Sequence, residues 1–299
     1  MATLEKYIAD VGQSNQEYIN TLLQKLHGHL EVRFKKFVDE QLRAIEETKV
    51  KISKRKGVIA FIRIFPHFSS AVEGMLVGVD GTLAARATID REYDRILKTM
   101  YDSLMVIARE NPAAGVATNS ADPEDKEALN FHILLIENMN HFLEETDTRG
   151  LEVLEEWKDR ANTTYYEHMN LYLSAVMRRP LGKVLEHLES MEAQLQSGKS
   201  PAAIAAQPSN SKTVFNKVLS NYDSKEIRKG IEALRKRVEK HFGDADYPAL
   251  SRGLVIKVLS ECEQFYEEVE RRVGAVTTNI YGGDIAFEWP RADVKAAFR

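Results

Sequence analysis

The residues in this sequence that could do chemistry are its histidines, its one cysteine and its carboxylates. Glu137 and His141 are four apart, which places both on one face of a helix, where they could bind a metal ion together with a third ligand. No third ligand follows at helical spacing, so we interpret them as a hydrogen-bonded surface pair. His168 lies between Tyr165 and Tyr172 on an apolar face and is interpreted as a buried histidine with a hydrogen-bond partner.

Cys262 lies in the apolar stripe of a predicted helix, so we interpret it as a small buried hydrophobic residue. His27 and His29 are two residues apart and diverge on a helix. The sequence has no phosphate-binding glycine loop, no zinc-peptidase motif, no hydrolase nucleophile elbow and no Cys-x-x-Cys pair. We therefore predict no metal, no cofactor and no enzymatic activity. An all-helical enzyme is the least favoured alternative.

The spacing of the apolar residues predicts long helices rather than strands. A capping box formed by Ser14 and Glu17 begins the helix predicted at 14–53, which at ~1.5 Å per residue would be about 60 Å long, more than a compact domain needs. Its apolar stripe consists of Ile19, Leu22, Leu26, Leu30, Phe34, Phe37, Leu42, Ile45 and Ile52. The other helices are predicted at 2–11, at 84–110, from Asp122 onwards, at 150–178 with a continuation past Pro180 to about 196, from an Asp223 cap to Gly243, and at 248–281.

Two segments of small and polar residues, 112–123 and 197–210, are predicted to be linkers. They divide the chain into residues 1–111, 112–196 and 197–299. Because the helices are long and the linkers short, we predict an all-α fold, an elongated rod of stacked antiparallel helical bundles.

Charge is segregated along the chain. Residues 48–72 hold six basic residues and no acidic one, residues 225–240 hold seven basic and three acidic, and residues 122–159 hold twelve acidic and three basic. The basic blocks either face acidic segments of the chain itself, are simply solvated, or contact an acidic protein or an anionic membrane leaflet. The candidates for such a contact are Lys49, Lys51, Lys54, Arg55, Lys56, Lys225, Arg228, Lys229, Arg235, Lys236 and Arg237.

Nucleic acid is not expected as a partner. The net charge is −4, and no aromatic residue interleaves with the bases of 225–240 to stack on nucleotides. The longest apolar runs are far shorter than the ~20 residues of a membrane span, the N-terminus lacks a signal peptide, and one cysteine fits a reducing compartment. We therefore expect a cytoplasmic protein.

A family resemblance rests on five segments in family order: RFKKFVDEQLRAIEETKVKISKRKGVIAFIRIFPHFSSAVEGML, DPEDKEALNFHILLIENMNHF, RRPLGKVLEHLES, YDSKEIRKGIEALRKRVEKHFGDAD and LSRGLVIKVLSECEQFYEEV. The chain resembles the C-terminal helical region of the exocyst component-one (Sec-three) family, in its fungal form, over about residues 19–299. The resemblance implies a helical rod in the complex that tethers secretory vesicles to the plasma membrane before SNARE-mediated fusion.

The resemblance also implies other exocyst subunits as partners and a peripheral location at plasma-membrane sites of polarised secretion. Full-length members of the family carry an N-terminal PH-like domain for phosphoinositides and Rho-family GTPases, followed by a coiled coil. Neither is visible in this sequence, so we expect a fragment, a truncated gene model or a short form, and those sites transfer to no residue of it. Direct binding of phosphoinositides by the basic segments is the alternative function.

Overall fold

The computed structural model describes residues 1–51, 57–109, 126–243, 248–285, 287 and 289–299, with the helix backbone alone at 49–51, 126–128, 248–250 and 291. Within these ranges the secondary structure is helical and contains no strand. The predicted all-α class is therefore confirmed for the part of the chain that the structure describes. The elongated rod and the three domain boundaries stay predictions.

The chain forms two compact units, one comprising Met1–Val116 and Leu134–Tyr166, the other Ala117–Ile133 and Glu167–Arg299. The first unit contains helices α1 to α4, the second contains α7 to α12, and α5 and α6 contribute residues to both. The helices are α1 (Ala2–Gly12), α2 (Glu17–Lys51), α3 (Ala60–Met75), α4 (Ala84–Arg109), α5 (Lys126–Thr148), α6 (Glu155–Val176), α7 (Arg178–Gln196), α8 (Pro201–Ala205), α9 (Lys212–Leu219), α10 (Ser224–Phe242), α11 (Pro248–Tyr281) and α12 (Arg291–Phe298).

The core of the first unit is built on α4, against which α1, α2 and α3 pack. Leu97 and Met100 of α4 are buried together with Val38 of α2 and Ile62 of α3. The part of α5 in this unit is buried from 134 to 142, including the polar side chains of Glu137, Asn138, Asn140 and His141. Full burial of an apolar side chain such as Leu135 or Met139 contributes about 1.5–3 kcal/mol to the stability of this unit.

The core of the second unit lies between α7, α10 and α11. Asp223 caps α10 by accepting the N–H groups of Lys225 and Glu226 at 3.0 and 2.9 Å, as predicted. The bounds predicted for α11 are confirmed, and its apolar seam is buried except at Phe265, which is half-buried while the neighbouring Tyr266 is buried.

The segment 197–210 is not the irregular linker that its composition predicts. Ser200 caps α8 by accepting the Ala203 N–H, and Ile204 of that helix is fully buried. Helix α9, which we did not predict, follows immediately and buries Phe215. Helices of five and eight residues are too short for an apolar period to repeat, so the sequence pattern misses them.

The capping box predicted for α2 is wrong. The Ser14 hydroxyl donates to the Val11 carbonyl at 2.7 Å, so it closes the end of α1. Helix α2 begins three residues later, at Glu17. A serine between two helices can satisfy either end, and the sequence alone does not decide which.

Candidate interaction surfaces

The predicted basic cluster of residues 49–56 lies outside the described side chains. The backbone of Lys49 and Lys51 belongs to the end of α2, and Lys54, Arg55 and Lys56 fall outside the described residues. Their contact with an acidic partner therefore stays a prediction.

The backbone of residues 57–59, directly after this cluster, is bound to α5 by buried hydrogen bonds from side chains of that helix. Gly57 has a φ of 75°, a conformation that favours glycine, and its N–H donates to the Glu137 carboxylate at 3.1 Å. The Asn138 side chain accepts the Ile59 N–H at 2.8 Å and donates to the Gly57 carbonyl at 3.2 Å. These bonds fix Gly57 and Ile59 against α5, and α3 begins at Ala60.

The interpretation of Glu137 and His141 as a surface pair is wrong, because both side chains are buried. Glu137 accepts the Gly57 N–H, and neither ring nitrogen of His141 has a hydrogen-bond partner among the described residues. Burial lowers the pKa of His141 despite the opposing influence of Glu145 and Glu144. The spacing of four residues gives the shared helix face correctly, but it does not tell whether that face is solvated.

The interpretations of His168 and Cys262 as buried residues are confirmed. His168 Nδ1 lies 2.9 Å from His132 Nδ1, so one ring must donate and the other accept. Burial lowers the pKa of both imidazoles, and the neighbouring His168 lowers that of His132 further. Burial raises the pKa of the Cys262 thiol to about 12, which leaves it without nucleophilic character at neutral pH.

The basic face of α10 is partly used within the second unit. Arg228 forms a salt bridge with Asp293 of α12 at 2.8 Å, and the Arg235 guanidinium donates to the Ala297 carbonyl in the last turn of that helix at 3.3 Å. A cation at a helix C-terminus stabilises the exposed carbonyls there. These two predicted contact residues therefore hold the C-terminal helix in place, in accord with the alternative that basic blocks are satisfied by the chain itself.

The other predicted residues of α10 differ in exposure. Lys225 and Lys236 have exposed side chains, and Arg237 is half-buried. Lys229 is exposed and lies 3.9 Å from Glu226 on its own helix. Lys225, Lys229 and Lys236 are therefore exposed on α10 together with Arg228, whereas Arg235 and Arg237 are half-buried.

The C-terminal segment packs within the second unit through Trp289. The Trp289 indole N–H donates to the Tyr266 carbonyl at 3.0 Å, and its backbone N–H donates to the Glu270 carboxylate at 3.0 Å. The Phe298 ring contacts the Tyr266 ring with centroids 5.6 Å apart. Phe287 packs edge-on against the indole at 4.8 Å.

An exposed apolar stripe on α2 was not recognised as a surface from the sequence. Ile19, Leu22, Leu26 and Phe37, which we call the α2 stripe, are 43%, 54%, 47% and 41% exposed. The sequence placed them in the same apolar stripe as Ile45, which is buried. The signal that could have separated them is the length of the helix, which exceeds what one compact unit can cover.

Among the described residues, no three His, Cys, Asp or Glu side chains are arranged to hold a metal ion. None of the described helices has an apolar stretch of the length that a lipid bilayer requires.

Comparison with known proteins gives these helix faces a context. The family model described as Exocyst complex component Sec3, C-terminal, matches residues 1–283. The chain belongs to this family. The resemblance read from the sequence is confirmed, although its fungal type stays a prediction.

Three curated relatives are similar to the chain, and each is named Exocyst complex component 1. The mouse protein is 23% identical over 277 residues, which is 93% of this chain and 28% of the mouse protein. The Drosophila melanogaster protein is 24% identical over 71% of this chain and 22% of its own length, and the Dictyostelium discoideum protein is 21% identical over 89% and 28%. The chain therefore spans about a quarter of the length of these relatives. No solved structure matches it significantly.

Proposed function

We propose that the chain is the helical interaction part of an exocyst subunit and acts in the tethering of secretory vesicles to the plasma membrane before SNARE-mediated fusion. The observation that carries this proposal is the family match over residues 1–283. The names of the three relatives support it. Exposed helix faces, such as the α2 stripe and the lysines of α10, suit a protein that works by contact rather than by catalysis.

The partners in this proposal are other exocyst subunits, and the location is the cytoplasm, peripheral at plasma-membrane sites of polarised secretion. Rho-family GTPases, which the resemblance places on an N-terminal region, are assigned to no residue of this chain.

The test is recovery of sister subunits by the tagged chain. The tagged chain would be expressed in cells of the organism from which it comes and purified through the tag under mild conditions. Mass spectrometry would then identify the proteins that are purified with it. An unrelated helical protein, expressed at the same level, serves as the control. We expect several exocyst subunits to be enriched at least tenfold over that control. Recovery of none by a chain with intact helical circular dichroism would refute the proposal.

A second candidate function is direct binding of acidic phospholipids. It is favoured by the five cations within residues 49–56 and by the exposed Lys225 and Lys236 of α10. Each Lys or Arg near an anionic leaflet contributes about 1 kcal/mol, so five would give measurable, salt-dependent binding.

The test of this function is flotation with liposomes containing phosphatidylinositol 4,5-bisphosphate. One variant changes Lys49, Lys51, Lys54, Arg55 and Lys56 to Glu. A control with the same net charge changes five exposed lysines elsewhere to Glu, namely Lys6, Lys98, Lys183, Lys199 and Lys217. If the cluster binds lipid, the wild type and the control float at near-physiological salt and the cluster variant does not. Equal loss in both variants would show non-specific charge attraction.

A further inference from the structure

The members of the α2 stripe lie on one side of the helix, with half-buried Leu30 and the exposed Arg33 between Leu26 and Phe37. The members follow at steps of three, four and eleven residues, and each step returns to nearly the same side of a helix with 3.6 residues per turn. From Ile19 to Phe37 the stripe is about 27 Å long at ~1.5 Å per residue. Four half-exposed large apolar side chains on one side of a helix are more than the scattered apolar residues of an ordinary surface.

The stripe leads into an apolar groove of the same unit. Phe37 contacts Phe68 of α3 with ring centroids 5.9 Å apart, and Ala44, seven residues after Phe37, lines the groove between α2 and α3. The groove has a volume of about 210 Å³, with Ile64 exposed at its rim and Met100 of α4 among its lining residues. The stripe and the groove thus offer one elongated apolar surface.

The charges beside the stripe are positive. Between Ile19 and Phe37 the same side of α2 carries Lys25, Arg33 and Lys36, all exposed, and no acidic residue. The first acid on this side is Glu40, which lies 4.0 Å from Lys36. A partner that covers the stripe would therefore gain most from carboxylates along one edge of its own apolar face.

We propose that the α2 stripe and the groove bind an amphipathic helix of another protein, with aliphatic residues at three- and four-residue spacing and acidic residues along one edge. The inference rests on the proposed function, because it names the kind of partner that the interaction part would hold. The partner helix would lie lengthwise along α2, with its acidic edge against Lys25, Arg33 and Lys36.

The shape of the surface favours a helix over a membrane. An interfacial helix binds a membrane by burying its whole apolar face, whereas the side chains of the stripe are already about half covered by the unit and Phe37 contacts Phe68. A concave groove at the end of the stripe adds contact area for a rod-shaped partner and none for a flat one.

The experiment combines the tagged chain with carbodiimide coupling. A carbodiimide activates a carboxylate, a lysine amine then attacks it to form an amide, and the reagent leaves as a urea. Only Lys and acidic side chains in direct contact are joined, so mass spectrometry of the coupled complex identifies the partner segment. We expect amides between Lys25 or Lys36 and acidic residues of an amphipathic helix in a sister subunit.

Two variants test the contact itself. One changes Ile19, Leu22 and Leu26 to Gln, and the other changes Lys25, Arg33 and Lys36 to Glu. One matched control changes Val153, Leu171 and Ile256 to Gln, because these side chains are about as exposed as those of the stripe. The other control changes the exposed Lys183, Lys199 and Lys217 to Glu. We expect each stripe variant to recover at least tenfold less of the coupled sister subunit than the wild type does. We expect both controls to recover as much of it as the wild type. Changing the partner's coupled acidic residues to Lys should restore its binding to the variant that carries Glu at positions 25, 33 and 36.

The other outcomes each overturn the proposal. Full recovery of sister subunits by both stripe variants refutes the α2 contact and leaves the proposed function standing, whereas recovery of none by the wild type refutes both. Coupling to a second copy of this chain would make the stripe a self-association surface. Loss of liposome flotation in the stripe variants, without loss of a subunit, would make it a membrane surface.

Discussion

Asn138 shows how one buried residue organises the start of α3. It is fully buried, its amide oxygen accepts the Ile59 N–H, and its amide nitrogen donates to the Gly57 and Leu134 carbonyls. A buried backbone group without a partner is costly, so this side chain replaces the water that these groups would otherwise bind. The residue thereby links α5 to a turn about eighty positions earlier in the chain.

Replacing Asn138 by Leu should therefore destabilise the first unit. The change keeps the volume but leaves the Gly57 carbonyl and the Ile59 N–H unsatisfied, at about 1–3 kcal/mol for each orphaned group. Hydrogen exchange at the Ile59 amide should accelerate, and urea unfolding followed by circular dichroism should shift to lower urea. Asn162→Leu, at an exposed position of α6, is the control. Unchanged protection of the Ile59 amide in Asn138→Leu would contradict this account.

The buried His141 predicts a pH dependence of stability. Its pKa in the folded protein lies below the unfolded value because of burial, so as the pH falls below about 6.5 the unfolded state takes up a proton that the folded state resists. The free energy of unfolding is therefore not reduced by His141 above that pH, and His141 lowers it progressively as the pH falls further. Glu144, Glu145, Arg63 and His67 also influence this ring.

In His141→Leu the free energy of unfolding should fall less between pH 7 and pH 5 than in the wild type, by about 1–2 kcal/mol. Some decline persists, because His132 and His168 respond in the same direction. Urea titrations at several pH values measure the difference, and His29→Leu, at an exposed position of α2, should follow the wild-type curve. Identical curves for all three proteins would exclude the effect.

At the scale of elements, α12 is held by its own buried side chains Val294, Ala297 and Phe298, by Trp289 just before it, and by two cationic contacts. Trp289 is buried and hydrogen-bonded to Tyr266, while Arg228 and Arg235 bind the helix from α10. A buried Trp replaced by Ala typically costs about 3–5 kcal/mol, whereas an exposed ion pair contributes about 1 kcal/mol or less. Trp289 therefore contributes more to the docking of this segment than either arginine contact does.

Trp289→Ala should release α12 and make the chain after Tyr281 sensitive to limited proteolysis. Arg228→Ala should increase cleavage only slightly. Lys229→Ala should leave the cleavage pattern unchanged, because the Lys229 side chain lies beside Glu226 of its own helix. Mass spectrometry of the fragments over time measures this order. A cleavage rate in Trp289→Ala equal to that of the wild type would show that other contacts suffice.

The elements also show which features follow from sequence. Helices α10 and α11 could be predicted closely, because the Asp223 cap and the glycines after α11 are local signals. The Ser14 cap, α8 and α9 could not, because one hydroxyl can serve either neighbouring helix and short helices have no period. The burial of Glu137 and the exposure of Leu22 were missed for a common reason. Spacing tells which side chains share a face, but the packing of distant helices decides what that face meets.

At the scale of the whole molecule, each compact unit contains one of the chain's two tryptophans. Trp157 belongs to the first unit, where its indole N–H donates to Asp94 at 2.8 Å, and Trp289 belongs to the second. Since each unit has its own buried core, a destabilising substitution in one unit should alter the unfolding reported by the tryptophan of that unit more than the unfolding reported by the other tryptophan.

We expect Asn138→Leu to shift the unfolding midpoint reported by Trp157 more than that reported by Trp289. The measurement uses fluorescence in urea on proteins with a single tryptophan, made by changing Trp157 or Trp289 to Phe. Val238→Ala, in the core of the second unit, should give the opposite order. Equal shifts at both reporters in both variants would mean that the chain unfolds as one cooperative body.

The burial of Cys262 has a practical consequence for spectroscopy. The only thiol of the chain is fully covered and strongly disfavours the thiolate, which is the form that reacts with maleimides. The native protein is therefore a ready background for attaching a dye or spin label at one introduced surface cysteine, with Cys262 left in place. A label at position 22 would sit on the α2 stripe itself, and its change in mobility or emission would follow the arrival of a partner in real time.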